Sequence, residues 1–513
     1  MRQGLLLAAA CIAAGVMPAS PARGASCESL AALQLPNTKI TLAAPVAQGA
    51  FNPPPGGPPV PGPPATYADL PAFCRVAATL TPTPDSDIRI EVWLPAEGWN
   101  GKFQAVGNGG WLGAIVHPAL GGALRRGYAT AATDTGHTSG VMDASWALGH
   151  PEKVTDFAWR AVHLMTVRAK AIVAAFYGAP PKYSYWNGCS SGGKQGLKEA
   201  QRFPDDFDGI VAGAPANDWT HLTASSVWAG LVVLKDKASY IPKEKYSLLH
   251  KAALDACDAL DGVTDRLIDD PRQCRFDPAV LRCTGDDAPS CLTGAQVASA
   301  KRLYGPATFS NGEEFFPGLE PGSELGWGFL LGGPEPTEIG STHYKFLVHA
   351  DPAWDPRTID FDKDVPLAAK LDGGAIAATS TDLSAFKARG GKLISYHGWT
   401  DALIVPRSTI NYYEKVAAAS GGLEKTRDFF RLFMAPGMDH CAGGEGPSRF
   451  DAIAALEDWV ESGKAPDVLV ASHRNGGGTD RTRPLCAYPK RAKWKGTGST
   501  DDAANFACVD ALP

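Results

Sequence analysis

Residues 184 to 196 read SYWNGCSSGGKQG, and Gly188-Cys189-Ser190-Ser191-Gly192 within them has the Gly-x-Ser-x-Gly form of a nucleophile elbow. In such an elbow a strand turns so sharply into a helix that only small residues fit beside the serine, whose hydroxyl is lifted above the sheet. A chain with 56 glycines produces this pentapeptide readily by chance, so the partners decide its meaning. The serine needs a base and the base an orienting carboxylate, which follow in the order Ser, Asp, His in this architecture. Asp401 follows the strand-like KLISY in HGWTD, and His440 follows FRLFMA in PGMDHC. His440 is therefore the expected base and Asp401 its partner. Asp439 is the rival carboxylate, but neighbouring side chains diverge; His397 is the rival base. A developing oxyanion needs two amides: that of Ser191, and one from the loop in QAVGNGGWLG, with Gly110 the first choice and Gly109 the second.

These residues need a sheet to carry them. Ile88 to Leu94, Phe103 to Val106, Tyr128 to Ala132, Tyr183 to Trp186 and Gly209 to Ala212 read as short strands. Asp156 to Phe176 is apolar at helical spacing. Strands alternating with helices predict an α/β fold with a mostly parallel sheet. From about 217 to 380 the alternation stops and Cys, Asp, Pro and Gly become frequent; it resumes at KLISYHG. The expected organisation is a leader over 1–24, a catalytic domain built from 25–216 and 381–513, and an inserted domain over 217–380. The tract FNPPPGGPPVPGPP at 51 to 64 reads as an extended surface loop.

The 513 residues, 44% hydrophobic and 20% charged, describe an ordinary globular chain with room for more than one core. A net charge of −6 gives no basic surface for nucleic acid or anionic membrane, so neither is expected as a partner. MRQGLLLAAACIAAGVMPASPARGAS has the form of a secretory signal, and its apolar run is too short to anchor in a bilayer. Its loss removes Cys11 and leaves ten cysteines with no Cys-x-x-Cys pair, which favours disulfides over metal thiolates. By spacing, Cys257/Cys274, Cys283/Cys291 and Cys486/Cys508 are local partners, and the rest of the pairing stays open. The expected location is secreted or periplasmic.

GNGGW, TDTGH, DFAWRAVH, GCSSGG, HGWTDALIVP and PGMDHC together resemble the tannase and feruloyl esterase family of α/β-hydrolases, which also includes hydrolases of terephthalate monoesters. The resemblance covers essentially the whole mature chain. It implies an α/β-hydrolase core with a large inserted lid, a triad of Ser190, Asp401 and His440, and a disulfide between Cys189 and Cys441 that ties the elbow to the histidine loop. It implies Cys27/Cys74 as a further pair and agrees with the three local ones.

DACDALDGVTDRLIDDPRQCRFDP at 255 to 278 is an acidic turn bracketed by Cys257 and Cys274. By residue type alone it is a solvated loop or an oxygen-rich cation site. The resemblance implies a structural calcium held by Asp258, Asp261 and Asp265 with the carbonyls of Val263 and Leu267. Arg266 stands where the family often has glycine. The function expected is a secreted serine esterase acting on aromatic esters of the hydroxycinnamate, feruloyl type, free or attached to plant polysaccharide. Gallate esters and terephthalate monoesters are alternatives; a serine peptidase and a catalytically idle calcium-stabilised binding protein are alternatives of other classes. Recognition of a terephthalate carboxylate calls for an inward cation, for which Arg302 and Arg357 are candidates. Ile404, beside the acid loop, is the expected apolar wall of the acyl pocket.

Overall fold

The computed structural model describes residues 24–60, 65–331 and 338–510. The expected leader, all but Gly24, lies outside these, as do Cys11 and residues 61–64 of the Pro/Gly tract. Fifteen strands occur among the described residues: β1 (Thr38–Val46), β2 (Phe73–Leu80), β3 (Ile88–Pro95), β4 (Lys102–Val106), β5 (Ala129–Thr133), β6 (Tyr183–Cys189), β7 (Gly209–Gly213), β8 (Ala307–Thr308), β9 (Glu314–Phe316), β10 (Lys392–Gly398), β11 (Phe430–Ala435), β12 (Val468–Asn475), β13 (Gly478–Cys486), β14 (Arg491–Trp494) and β15 (Phe506–Val509).

Nine of them form one sheet in the order β1-β2-β3-β5-β4-β6-β7-β10-β11. From β5 to β11 every neighbour is parallel, whereas β1, β2, β3 and β5 pair antiparallel. The central strands are short and small-residued: ATAAT in β5 and GIVAG in β7 are buried at every position, as expected for strands covered on both faces. The parallel strands match their expected spans to within a few residues. The elbow helix, Ser191–Arg202, begins directly after β6 and Ser190.

Elsewhere the structure adds to the reading. β1 and β2 were not expected; they lie at the antiparallel edge, where β1 is only partly covered and its TKITLAAPV has no uniform apolar run. The two ladders β12–β13 and β14–β15 were likewise not expected; in β12 the alternation is blurred because Val468 and Val470 are apolar yet face solvent. The helix expected from Asp156 starts earlier, at Pro151, and passes through a π turn over Asp156–Arg160 before continuing as Ala161–Tyr177. That turn places buried Asp156 against Arg160 Nε at 2.5 Å.

The chain leaves the sheet after β7 and returns at β10, and the excursion is closed by the Ala378 N–H donating to Asn217 O at 2.7 Å. Its irregular composition conceals several helices, notably Trp219–Leu234, Tyr246–Cys257, Gly294–Tyr304 and Phe361–Asp372. Trp219–Leu234 is apolar around most of its circumference and serves as the axis of a second hydrophobic core with Leu303, Trp327 and Tyr344. That core reaches Ala402 and Val405 beside Asp401, so the excursion packs directly on the acid loop. Five disulfides close Cys27–Cys74, Cys189–Cys441, Cys257–Cys274, Cys283–Cys291 and Cys486–Cys508.

Candidate active site

Ser190 stands between β6 and its helix with φ 65° and ψ −125°, a strained left-handed backbone of the kind that costs about 1–3 kcal/mol and clusters at functional sites. A Cβ on Gly188 would lie 2.5 Å from Gly192 O, so the turn closes only with glycine there. Cys189 and Cys441 are bonded with Cα atoms 5.9 Å apart, joining residues 252 apart in sequence. The disulfide therefore holds the residues adjoining Ser190 and His440 side by side.

Asp401, on the loop after β10, is fully buried, and His440, on the loop after β11, is half-buried. His440 Nδ1 lies 2.7 Å from Asp401 Oδ2. The other carboxylate oxygen accepts the N–H groups of Leu403 and Ile404, both at 2.9 Å. His397 Nε2 also reaches Asp401 Oδ2, at 3.0 Å, while its Nδ1 meets Thr409 Oγ1 at 2.8 Å. Burial alone would raise the Asp401 pKa; the charge of His440 and the bonds from both histidines overcome it and hold the carboxyl far below the usual range. Burial opposes charge on His440 too, but the Asp401 carboxylate prevails and its pKa is raised. Asp439 accepts a bond from Thr400 Oγ1 at 2.8 Å and does not pair with the His440 ring. His397, the rival base, is wholly buried and bound up with Asp401 and Thr409. Sequence order alone gave no sign of that supporting role. Ser190 Oγ makes no hydrogen bond among the described residues; such contacts are often long before substrate binds.

The amides of Ser191 and Gly110 have no acceptor among the described residues, and both residues line the cavity at Ser190. Ser191 Oγ donates to Gly110 O at 2.8 Å, which ties the two loops together. Gly110 has φ +52°, and a Cβ there would lie 2.5 Å from Val141 O. Gly109 does not line the cavity; its carbonyl accepts the Leu112 N–H at 3.0 Å in a turn. Asn108, which the sequence did not single out, fixes this loop: its carbonyl accepts Gly192 N–H at 2.8 Å and its Oδ1 accepts Gln195 Nε2 at 2.8 Å.

The cavity is walled by Ala216, Leu222, Ile339, Leu403 and the predicted Ile404, with Trp219, Thr223, Ser226 and Gly340 beside them. Behind Trp219 lies Lys194, buried and without a hydrogen-bond partner among the described residues, its Nζ 4.2 Å from the Phe157 ring and 4.6 Å from Trp219; burial pushes it down to about 7. Neither candidate arginine lines this cavity. Arg302 packs over Trp228 and borders a separate surface groove, and Arg357 is exposed and paired with Asp355.

The acidic loop curls its predicted residues on their own amides, and the carboxylates of Asp258, Asp261 and Asp265 do not all come within 4.8 Å of one another. Asp258 accepts the N–H groups of Asp265 and Arg266, at 3.0 and 2.9 Å; Asp261 accepts that of Val263 at 2.9 Å; Asp265 accepts that of Leu267 at 3.2 Å and pairs with Arg483. Arg266 takes φ 67°, the conformation that favours glycine. Asp269 Oδ2 is buried with no partner among the described residues; burial and then Asp261 push its carboxyl up to about 7, and Asp261 rises to about 6. An all-oxygen donor set with uncompensated buried carboxylates fits a hard cation, although Arg483 already supplies some positive charge. The one triple of metal-type side chains with donor atoms within 4.8 Å of one another, among the described residues, lies elsewhere, at His163, Glu199 and Asp206.

Comparison with known proteins agrees with this geometry. The family model described as tannase and feruloyl esterase matches residues 74–509. The chain belongs to that family. It is 40% identical to an uncharacterized esterase of Xanthomonas campestris pv. campestris over 97% of this chain and 94% of the relative. It is 35% identical to a probable feruloyl esterase B-1 of Aspergillus fumigatus over 85% of this chain and 86% of the relative. Among solved structures, feruloyl esterase B from Aspergillus oryzae superposes with a TM-score of 0.88 at 33% identity, covering 94% of this chain and 99% of that one. The family fold is thus the α/β-hydrolase sheet described above.

Proposed function

We propose that this member of the family is an exported serine carboxylic-ester hydrolase of aromatic esters, with feruloyl-type hydroxycinnamates as its substrates. The observation that carries the reading is the linked pair: a strained Ser190 bridged through Cys189–Cys441 to a His440 whose Nδ1 is 2.7 Å from buried Asp401. Ser190 attacks the ester carbonyl while His440 accepts its proton and later returns it to the leaving alcohol. The amides of Ser191 and Gly110, at the N-terminus of the elbow helix, receive the oxyanion. Water then repeats the attack on the acyl-enzyme. The excursion over 217–380 acts as the lid domain and supplies the acyl-pocket wall.

The choice of acyl group is supported by the apolar walls and by the identity to feruloyl esterases. No lysine or arginine lines the cavity among the described residues, which disfavours a terephthalate carboxylate. Calcium belongs to the same reading as a brace of the lid, held by Asp258, Asp261 and Asp265 and the carbonyls of Val263 and Leu267, with no part in the chemistry. Export is supported by the leader-like sequence and the five disulfides.

The test is a panel of methyl ferulate, methyl gallate, mono(2-hydroxyethyl) terephthalate and peptide anilides on the wild type and Ser190→Ala. Hydrolysis of the ferulate ester that falls about 10⁴-fold or more in Ser190→Ala is expected. Activity indifferent to Ser190→Ala would sink the mechanism, and preferential anilide cleavage would make the chain a peptidase.

A further inference from the structure

The face that helix Trp219–Leu234 turns to the cavity is a single stripe: Trp219, Leu222, Thr223 and Ser226, at i, i+3, i+4 and i+7. Three of these are explained by shape or by their own bonds. Trp219 and Leu222 are apolar walls, and Thr223 Oγ1 returns its proton to Thr220 O at 3.0 Å. Ser226 is the exception. A helical serine ordinarily gives its proton to the carbonyl three or four residues back, as the adjacent Ser225 does to Leu222 O at 2.8 Å. Ser226 Oγ is buried and has no partner among the described residues.

A hydroxyl kept in this state is costly unless something else completes it. The space in front of it is preserved by Gly340 on the facing helix Glu338–His343, where a Cβ would sit 3.1 Å from Ser226 Oγ and 2.5 Å from Thr223 O. The Ala216 N–H donates to Ser190 O at 3.1 Å, which sets the start of this stretch beside the nucleophile, and Ser226, on the helix that begins three residues later, lines the same cavity as Ser190. Ser226 is two turns beyond Trp219, about 10 Å along the axis.

We propose that Ser226 Oγ is the polar end of the acyl pocket and binds the 4-hydroxyl of a hydroxycinnamoyl group. This deepens, and rests on, the aromatic-esterase reading above. A cinnamoyl ring is set off from its carbonyl by a vinylene unit, which gives its para-hydroxyl the longer reach; gallate and terephthalate rings are joined directly to the carbonyl and end one such unit short. Ser226 exchanges one hydrogen bond with the phenol, as donor or acceptor, whereas an ester lacking the 4-hydroxyl leaves the serine as orphaned as it is in the free enzyme. Discrimination of this kind comes from a site built to pair a substrate hydroxyl.

The experiment compares kcat/KM for methyl 4-hydroxycinnamate and methyl cinnamate in the full-length wild type and Ser226→Ala, with thermal unfolding of both. The wild type is expected to prefer the hydroxylated ester, and the ratio of the two kcat/KM values to fall roughly 5- to 20-fold in Ser226→Ala. Because the variant loses an unpaired buried hydroxyl, its Tm should equal or exceed that of the wild type, which shows that the lost preference is not misfolding. A ratio that survives Ser226→Ala, or a wild type that hydrolyses both esters without preference, overturns the subsite while leaving the esterase reading intact. A wild type that hydrolyses neither ester overturns the esterase reading itself.

Discussion

Asp401 accepts four hydrogen bonds within a fully buried loop, two from backbone amides and two from histidines. Such a carboxylate stays ionised and keeps the His440 ring in one orientation. The free base must be neutral to act, and its pKa is raised, so the acid limb of kcat/KM should lie above the ordinary imidazole value of about 6.5. Activity should therefore rise with pH through that higher value, and Asp401→Asn should cost about 10⁴-fold in kcat through the wrong tautomer. His397 is a positioning residue. His397→Leu should lower kcat by roughly 10- to 100-fold and move the acid limb, whereas His397→Gln, which keeps a donor toward Asp401, should restore much of both. Serine, acid and histidine were legible because each is fixed by a short local pattern at a strand end. The contribution of His397 was not, because it depends on two loops folding over one carboxylate, and the same distance-free reading made it a rival base.

At the scale of elements, the 217–380 excursion is tied to the histidine loop at Glu445, which both Arg266 and His250 reach. His250 of helix Tyr246–Cys257 bonds Glu324 within the lid at 3.0 Å and Glu445, a few residues past His440, at 2.9 Å. Burial works against its charge, but the two carboxylates outweigh burial and raise its pKa. A raised folded pKa means that the bridge stabilises fully below about pH 6.5 and is lost as pH climbs through the folded value. The Tm gap between wild type and His250→Phe should accordingly be widest near pH 6 and narrow toward pH 9. The opposite slope comes from Glu445: against burial, His250 and Arg266 hold its carboxyl below the ordinary value, so its share of the bridge is lost only at the acid end, as that carboxyl protonates. A second buried acid behaves in a related way: Glu199 on the elbow helix is sealed from water beside Asp206, and burial followed by Asp206 pushes its carboxyl well above the ordinary value. It holds a proton in the fold, so rising pH removes stability that Glu199→Gln should retain, seen as a larger Tm gain at pH 8 than at pH 5. The parallel strands were legible from short apolar runs because both faces are covered. The lid helices were not, since their packing surfaces are set by a second core whose members are scattered from 224 to 405. The edge strand β1, its neighbour β2 and the C-terminal ladders also escaped; in β12 the apolar Val468 and Val470 sit on the exposed face and blur the alternation.

For the whole molecule, two reinforcements do different work. Chelation of calcium, if the acidic loop holds it as proposed, should lower Tm with little change in kcat for the protein that remains folded, because that loop lies in the lid and contributes no group to the Ser190 cavity. The bond between Cys189 and Cys441 spans far more chain, and in the chain-entropy model such a closure is worth about 5 kcal/mol. The double variant Cys189→Ala/Cys441→Ala should lose both Tm and kcat, since the elbow and the histidine loop are then joined only by packing. That bond also makes the site sensitive to redox state. Wherever thiols stay reduced, the residues beside Ser190 and His440 lose their covalent link, so hydrolysis should track the oxidation of this one bridge.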